Sequence, residues 1–390
     1  MTQNNRIKSA FAGFGAAALL AGAVHAGDAK VVIDDKAPVA EPEPWTYCNI
    51  FKSNTLFESD QGPINKIKWI GRYQGQFFST DSNQGSETDW ENRRFRAGVQ
   101  IEFLDNFKFE GQFNLKRDYN EPGRFVEDVE DLTIEWEMTD DTYLIVGKQK
   151  APVTREWSTS SKKIITFERS QLVNQIVPDK LGGVVLGHHL NDKLWAEAGL
   201  YTTTKTDDWA LPDFDGHLAE SVRIGYQLTE ATEARFDFLH IEGAGEDNGV
   251  KGHDNIFSWN TESKWGDLGL VTDIIYGTGT DDAHNSDVFG VVLMPSYDLT
   301  DQLQAVFRYT YSTSDSADGI RLQSRYERRG AAAPLNTRGD SYNAFYLGLN
   351  YRLCGDNLKL MGGVEYANLD APKSSDWDGW TYLAGVRLYF

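Results

Sequence analysis

The chain has 390 residues and carries 38 Lys and Arg against 58 Asp and Glu, a net charge of −20. So acidic a surface argues against a nucleic-acid partner, whose phosphates need a basic face. Only two cysteines, Cys48 and Cys354, exclude a disulfide-dense scaffold and a Cys-rich metal site.

Arg6 and Lys8 precede an apolar run from Ala10 to Ala23, and Val24-His25-Ala26 ends in small residues. This is the pattern of an export signal, predicting residues 1–26 as a signal peptide and a mature chain from near Gly27. The run is too short for a membrane helix, and no later segment approaches the roughly 18 uninterrupted apolar residues that one needs. A bilayer can still be crossed by strands closed into a barrel, which satisfies every backbone group internally.

Residues 27–65 are expected to form a periplasmic linker and cap. Pro38, Pro42 and Pro44 mark its first part as unstructured, whereas Trp45 to Glu58 is apolar enough for a short helix. Asn49 to Asn65 is a candidate plug. Export to an oxidising compartment permits a bridge between Cys48 and Cys354, although two unpaired small residues fit equally well.

From residue 66 to 390 the pattern is strands. In Lys66 to Ser79, Ile67, Trp69, Gly71, Tyr73, Gly75 and Phe77 oppose Lys66, Lys68, Ile70, Arg72, Gln74 and Gln76, one side apolar and the other mostly polar. Arg93 to Leu104 and Phe107 to Lys116 repeat the alternation around a tight turn at Asp105-Asn106. Further strands are expected near 130–138, 142–150, 182–190, 194–202, 218–229, 234–242, 255–264, 268–278, 287–299, 303–313, 341–353, 358–369 and 379–390. The last is Trp380 to Phe390, with Trp380, Tyr382, Ala384, Val386, Leu388 and Phe390 on one face. Connections after even-numbered strands are short and those after odd-numbered strands long, an alternation that a soluble sandwich would not explain. The expected fold is all-β, a sixteen-stranded antiparallel transmembrane β-barrel with long extracellular loops and short periplasmic turns. Its expected location is the outer membrane of a Gram-negative-type bacterium, with Trp69, Trp136, Trp259, Trp265 and Trp380 in interfacial girdles and outer-membrane lipid as its surroundings.

Parity turns Arg72, Arg94, Arg96, Lys108, Lys116, Arg308, Lys359 and Arg387 inward, with Glu102, Glu110, Glu135 and Glu365 among them. The reverse placement would cost roughly 2–4 kcal/mol for each Arg or Lys at the bilayer midplane. A barrel of this size leaves an aqueous channel. Passive diffusion of small hydrophilic solutes or anions is therefore expected. Ala151 to Asp179 is long, partly apolar, and carries charges in pairs: Arg155-Glu156, Lys162-Lys163 and Glu168-Arg169. Folded into the lumen, it would form a charged constriction.

Four short stretches carry a family likeness: Gly71-Arg72-Tyr73-Gln74, Val146-Gly147-Lys148-Gln149-Lys150-Ala151-Pro152, Glu168-Arg169-Ser170 and the closing Phe390. On these, the chain resembles the phosphate-selective porins O and P over most of its mature length. The resemblance implies a homotrimer, basic residues along the lumen, and a third loop folded inward around an anion site. Lys148, Lys150, Arg155 and Arg169 are the matching positions. Leu383 departs from the usual closing strand, where a polar residue commonly stands.

Two other functions compete. A barrel hydrolase would need a nucleophile with a base in reach, yet His188, His189, His217, His240, His253 and His284 are scattered without reproducible spacing. No catalytic residue, metal or cofactor is therefore expected. A plugged ligand-binding transporter draws support from the loop at Ser314 to Asp340, where Arg321, Arg325, Arg328, Arg329 and Arg338 could capture an anion.

Overall fold

The computed structural model describes residues 46–116, 125–203, 217–244, 250–279, 284–331 and 337–390; the expected signal peptide and proline-rich linker lie outside them. Contacts divide the chain between Asn49 and Ile50. In the leading unit, Asn49 Oδ1 accepts from the Thr46 amide and hydroxyl, both at 2.8 Å. A single helical turn, α1 (Asn49–Lys52), follows.

Sixteen strands form a closed antiparallel barrel. They are β1 (Ile64–Ser82), β2 (Gly85–Phe103), β3 (Phe107–Leu115), β4 (Val126–Thr139), β5 (Thr142–Gln149), β6 (Leu181–His189), β7 (Leu194–Thr202), β8 (Leu218–Thr229), β9 (Thr232–Ile241), β10 (His253–Trp265), β11 (Leu268–Gly279), β12 (Val288–Asp298), β13 (Leu303–Ser314), β14 (Ser341–Arg352), β15 (Leu358–Asp370) and β16 (Trp377–Tyr389). Each pairs with the next, and β16 pairs with β1 from Gly379↔Ser82 to Tyr389↔Arg72. Phe390 extends the seam: its amide donates to the Gly71 carbonyl at 3.2 Å and its carbonyl accepts from the Gly71 amide at 3.1 Å. Beyond that point the edge of β1 is taken up by the N-terminal segment: the Trp69 amide donates to the Asn54 carbonyl at 2.8 Å, and a short strand, Thr55–Glu58, pairs with Lys66–Lys68. That part of the candidate plug thus runs along the sheet edge, where it satisfies backbone groups that β16 leaves unpaired.

The period of two holds around the wall. On β14, Tyr342, Ala344, Tyr346 and Asn350 are buried inside, while Phe345, Leu347, Leu349 and Tyr351 lie exposed outside. Trp69, Trp259, Trp265 and Trp380 are likewise exposed, as residues facing lipid and its interface should be.

One connection departs from expectation. The segment 80–92, expected as a long loop, is strand: β1 and β2 have 19 residues each and are joined across residues 83–84. A transmembrane strand needs about 9–11 residues, so this hairpin projects well past the bilayer. Its outer face meets water and its inner face meets polar groups of the connection after β13, as where Ser82 donates to the Gly330 carbonyl at 2.8 Å. Asp81, Ser86, Glu87 and Thr88 are exposed and pair without any apolar alternation, which is why the pattern did not betray them.

The lumen is partly filled. Two connections at the long-loop end turn inward: L3, residues 150–180, and the described parts of L7, residues 315–331 and 337–340. L3 carries two short helices, α2 (Arg155–Ser158) and α3 (Gln171–Ile176). Leu172, Val173 and Ile176 of α3 share one core with inward-facing Leu239, Ile256 and Ile275. Burying such side chains contributes about 1.5–3 kcal/mol each. Lower on the wall, Phe167 packs with Phe78, Val306, Met361 and Leu383. Leu383 is apolar because L3, rather than water, covers it.

Candidate functional site: a loop folded into the lumen

L3 leaves β5 and is shaped at once by Thr154, whose φ of 65° is rare for a side chain other than glycine. Such a conformation costs on the order of 1–3 kcal/mol. Its surroundings hold it: Thr154 Oγ1 accepts from the Trp157 amide at 3.2 Å, and Arg235 donates to the Thr154 carbonyl at 3.0 Å. The next amide, Arg155 N, donates to Asp273 Oδ2 at 2.7 Å.

Most of the charged residues expected at the constriction point away from the water. Arg155 pairs with Glu233 at 3.0 Å and with Glu262. Glu156 accepts from Arg308 at 3.1 Å and from the Ser170 amide at 2.9 Å. Arg169 lies over the Trp157 ring and donates to the carbonyls of Glu156 (2.6 Å) and Thr159 (2.8 Å). Glu168 sits against Arg93 and Arg94. Burial alone would raise its carboxyl, but Arg93 and then Arg94 outweigh burial and hold it below the usual carboxylate range. All four of these L3 residues are buried. Lys162 is only half-buried, above the Tyr389 ring, and Lys163 is exposed.

The inward basic residues have an unexpected role. Arg72 and Gln74 hold Ser161, through its hydroxyl and its carbonyl respectively. Lys359 donates to the Ile164 carbonyl at 2.8 Å, Asn350 to Ile165 at 2.9 Å, Arg387 to Phe167 at 3.1 Å and Arg308 to Glu168 at 2.7 Å. The basic ones are among the side chains that parity was expected to turn inward. There they are donors to successive L3 carbonyls, which would otherwise be buried unsatisfied. Lys150 does the same at the root of the loop, donating to the carbonyls of Trp157 (2.7 Å) and Thr159 (3.2 Å).

The wall that L3 leaves open runs along β2–β5. Glu102, Lys108, Glu110, Glu135 and Lys148 are half-exposed there. Arg94 donates to Gln74 at 2.7 Å, and Arg96 pairs with Glu130 at 2.9 Å. Lys180, at the end of L3, pairs with Glu130 at 2.8 Å and with Asp131.

L7 completes the filling. Tyr326 donates to Glu365 and Tyr342 donates to Glu327, both at 2.8 Å. Arg308 bridges Glu365 (3.0 Å) and Glu156 (3.1 Å), joining L7, the wall and L3. The loop's arginines had drawn notice in the sequence; Tyr326 and Glu327 had not, because nothing local marks a buried Tyr–Glu pair. Among the histidines, His188 bonds Thr142 and His240 bonds Asn255, both at 2.9 Å, as ordinary strand neighbours. Neither cysteine is free.

The family model for the phosphate-selective porins O and P matches residues 67–355. A search of curated proteins gives no match. Among solved structures, the chain is similar to the outer-membrane OmpT of Vibrio cholerae (TM-score 0.55, 13% identity, covering 86% of this chain and 100% of that one). It is also similar to the outer-membrane channel DcaP of Acinetobacter baumannii (0.57, 13%, 86% and 99%) and to Pseudomonas putida OprB (0.57, 10%, 83% and 94%). At such identities the likeness is one of fold.

Proposed function

The chain belongs to the phosphate-selective porin O and P family and is a porin of the outer membrane, and from that premise we propose that L3 makes its water-filled channel anion-preferring. One observation carries the reading. The two acidic members of the L3 charge pairs, Glu156 and Glu168, are buried against arginines, whereas Lys162 and Lys163 reach toward water. At L3 itself a passing ion meets ammonium groups rather than carboxylates, opposite the mixed wall of Glu102, Glu110, Glu135 and Lys108, and cationic linings favour anions. Lys148 adds a further positive charge on the open wall beside the loop.

Solutes cross by passive diffusion rather than by catalysis. The working unit is a homotrimer set in outer-membrane lipid, with residues 1–26 removed on export, 27–65 on the periplasmic side and 66–390 forming the barrel. Cys48 and Cys354 pair with each other, a reading supported by neither being free. Mass spectrometry without reductant tests both the bridge and the mature start; two separate thiols would overturn the pairing.

Planar-bilayer recording under a salt gradient tests the selectivity. The expected reversal potential has the sign of an anion-selective pore, and Lys162→Glu with Lys163→Glu moves it toward cations. Cation selectivity in the unaltered protein would overturn the reading. An unchanged potential in the double variant would remove L3 from the ion path.

A further inference from the structure

Away from the constriction, a cavity of about 310 Å³ lies between α3, L7, the start of β10 and the segment before β12. Lys251, Arg321, Arg328 and Arg338 line it with His253 and His284, and none of its lining residues is a carboxylate. In a chain with 58 acidic and 38 basic residues this reverses the general balance. Lys251 donates to the Asn174 carbonyl at 2.6 Å, and Arg338 donates to the carbonyls of His284 (3.2 Å) and Asp318 (3.0 Å). The Asp318 carboxylate is turned to Lys373. Burial first, opposed by Asp179, and then Arg321 and Arg325 push the Lys251 ammonium below its ordinary range, as expected where like charges gather.

Two buried polar groups add an independent sign of a ligand. His253 is 1% exposed and turns one ring nitrogen to the Ser286 backbone, which leaves the other without a partner; Arg328 Nε, also buried, makes no hydrogen bond. Buried polar atoms are nearly always paired.

We propose that this cavity binds an organic anion that carries a phosphate or carboxylate head together with hydroxyl groups, of about the size of a sugar phosphate or sugar acid. The head answers the cluster of cations through charge-assisted hydrogen bonds. A hydroxyl, which can donate or accept, answers the remaining ring nitrogen of His253. Size argues against a lone inorganic ion: the volume is roughly ten times that of a water molecule in the liquid and falls in the range of small-molecule sites. The site is continuous with the constriction loop, because Asn174 of α3 and Gln323 of L7 both donate to the Arg169 carbonyl, at 2.9 and 3.0 Å. It does not depend on the ion selectivity of the channel.

Isothermal titration of the whole barrel in detergent with glucose 6-phosphate, gluconate, inorganic phosphate and glucose tests the proposal. Saturable binding is expected for glucose 6-phosphate or gluconate, weaker at high salt and absent for glucose; the tighter of the two identifies the head group. Arg321→Gln with Arg328→Gln should weaken it by at least about tenfold, with circular dichroism confirming the barrel. If that variant does not fold, Arg321→Gln alone, at an exposed side chain, is read in the same way. Inorganic phosphate binding as tightly as both organic anions would overturn the assignment. So would the absence of saturable binding, or binding that the substitutions leave unchanged.

Discussion

Glu327 shows how one side chain ties a loop to the pore. Its carboxylate accepts from Tyr342 and, at 2.7 Å, from the Gln323 amide. Burial first, and then Glu365, raise it to about 8. Tyr326, Tyr342, Glu365 and Arg308 surround it, so a single guanidinium must serve Glu365 and Glu156 and has little left for Glu327. The sign follows from the direction of the shift. A carboxyl raised in the folded state favours the protonated form, so L7 is held most firmly below the unfolded value of about 4.3 and loosens as pH rises through about 8. Hydrogen-exchange protection of residues 315–331, taken relative to the intrinsic base-catalysed rate at each pH, should therefore fall between neutral and mildly alkaline pH, and Glu327→Gln should flatten that fall. Protection that does not change with pH in the unaltered protein would dismiss the latch. None of this was legible in the sequence, where Glu327 is one charge beside Arg328 and Arg329 and its partners are remote in the chain.

At the scale of an element, L3 is held by a row of wall donors rather than by its own helices, which span four and six residues. Arg308 is the most connected of these donors, reaching Glu156, Glu365 and the Glu168 carbonyl. Arg308→Gln leaves two carboxylates buried without their cation, a loss of about 3–5 kcal/mol. The expected readings are a lower midpoint of denaturant unfolding in detergent and noisier single-channel current, since L3 would move within the lumen. Steady current at an unchanged midpoint would show that the other anchors suffice. The location and length of L3 were plain from sequence, and so were its charge pairs. Their orientation was not: Arg155 and Arg169 read as pore-facing until their partners, Glu233, Glu262 and the loop's own carbonyls, were placed beside them.

For the molecule as a whole, closure rests on the seam between the first and last strands. Phe390 bonds Gly71 through its backbone, and its ring lies over that glycine so closely that a Cβ there would come within 2.4 Å of it. Gly71→Val should push the ring off the seam, an overpacking cost of about 1–3 kcal/mol, and reduce the fraction of protein that runs as a folded, heat-modifiable barrel in gel electrophoresis. An unchanged fraction would mean that β16 closes on β1 without help from its last side chain.

Strand number, strand order and the period-two alternation along the wall were legible in the sequence, except at bulges such as the one that turns both Arg93 and Arg94 to Glu168. A period of two, enforced by lipid on one side and water on the other, leaves a record at every second residue. The projecting hairpin of β1 and β2 escaped because water on one face and polar groups of L7 on the other impose no period. What only the tertiary structure decided is which inward charges meet the solute. Arg72, Arg308, Lys359 and Arg387 have the same parity as open pore residues, yet L3 crosses to them and takes their hydrogen bonds. Contacts between residues about 90 to 220 positions apart depend on the closed wall bringing them together, and no local pattern records that.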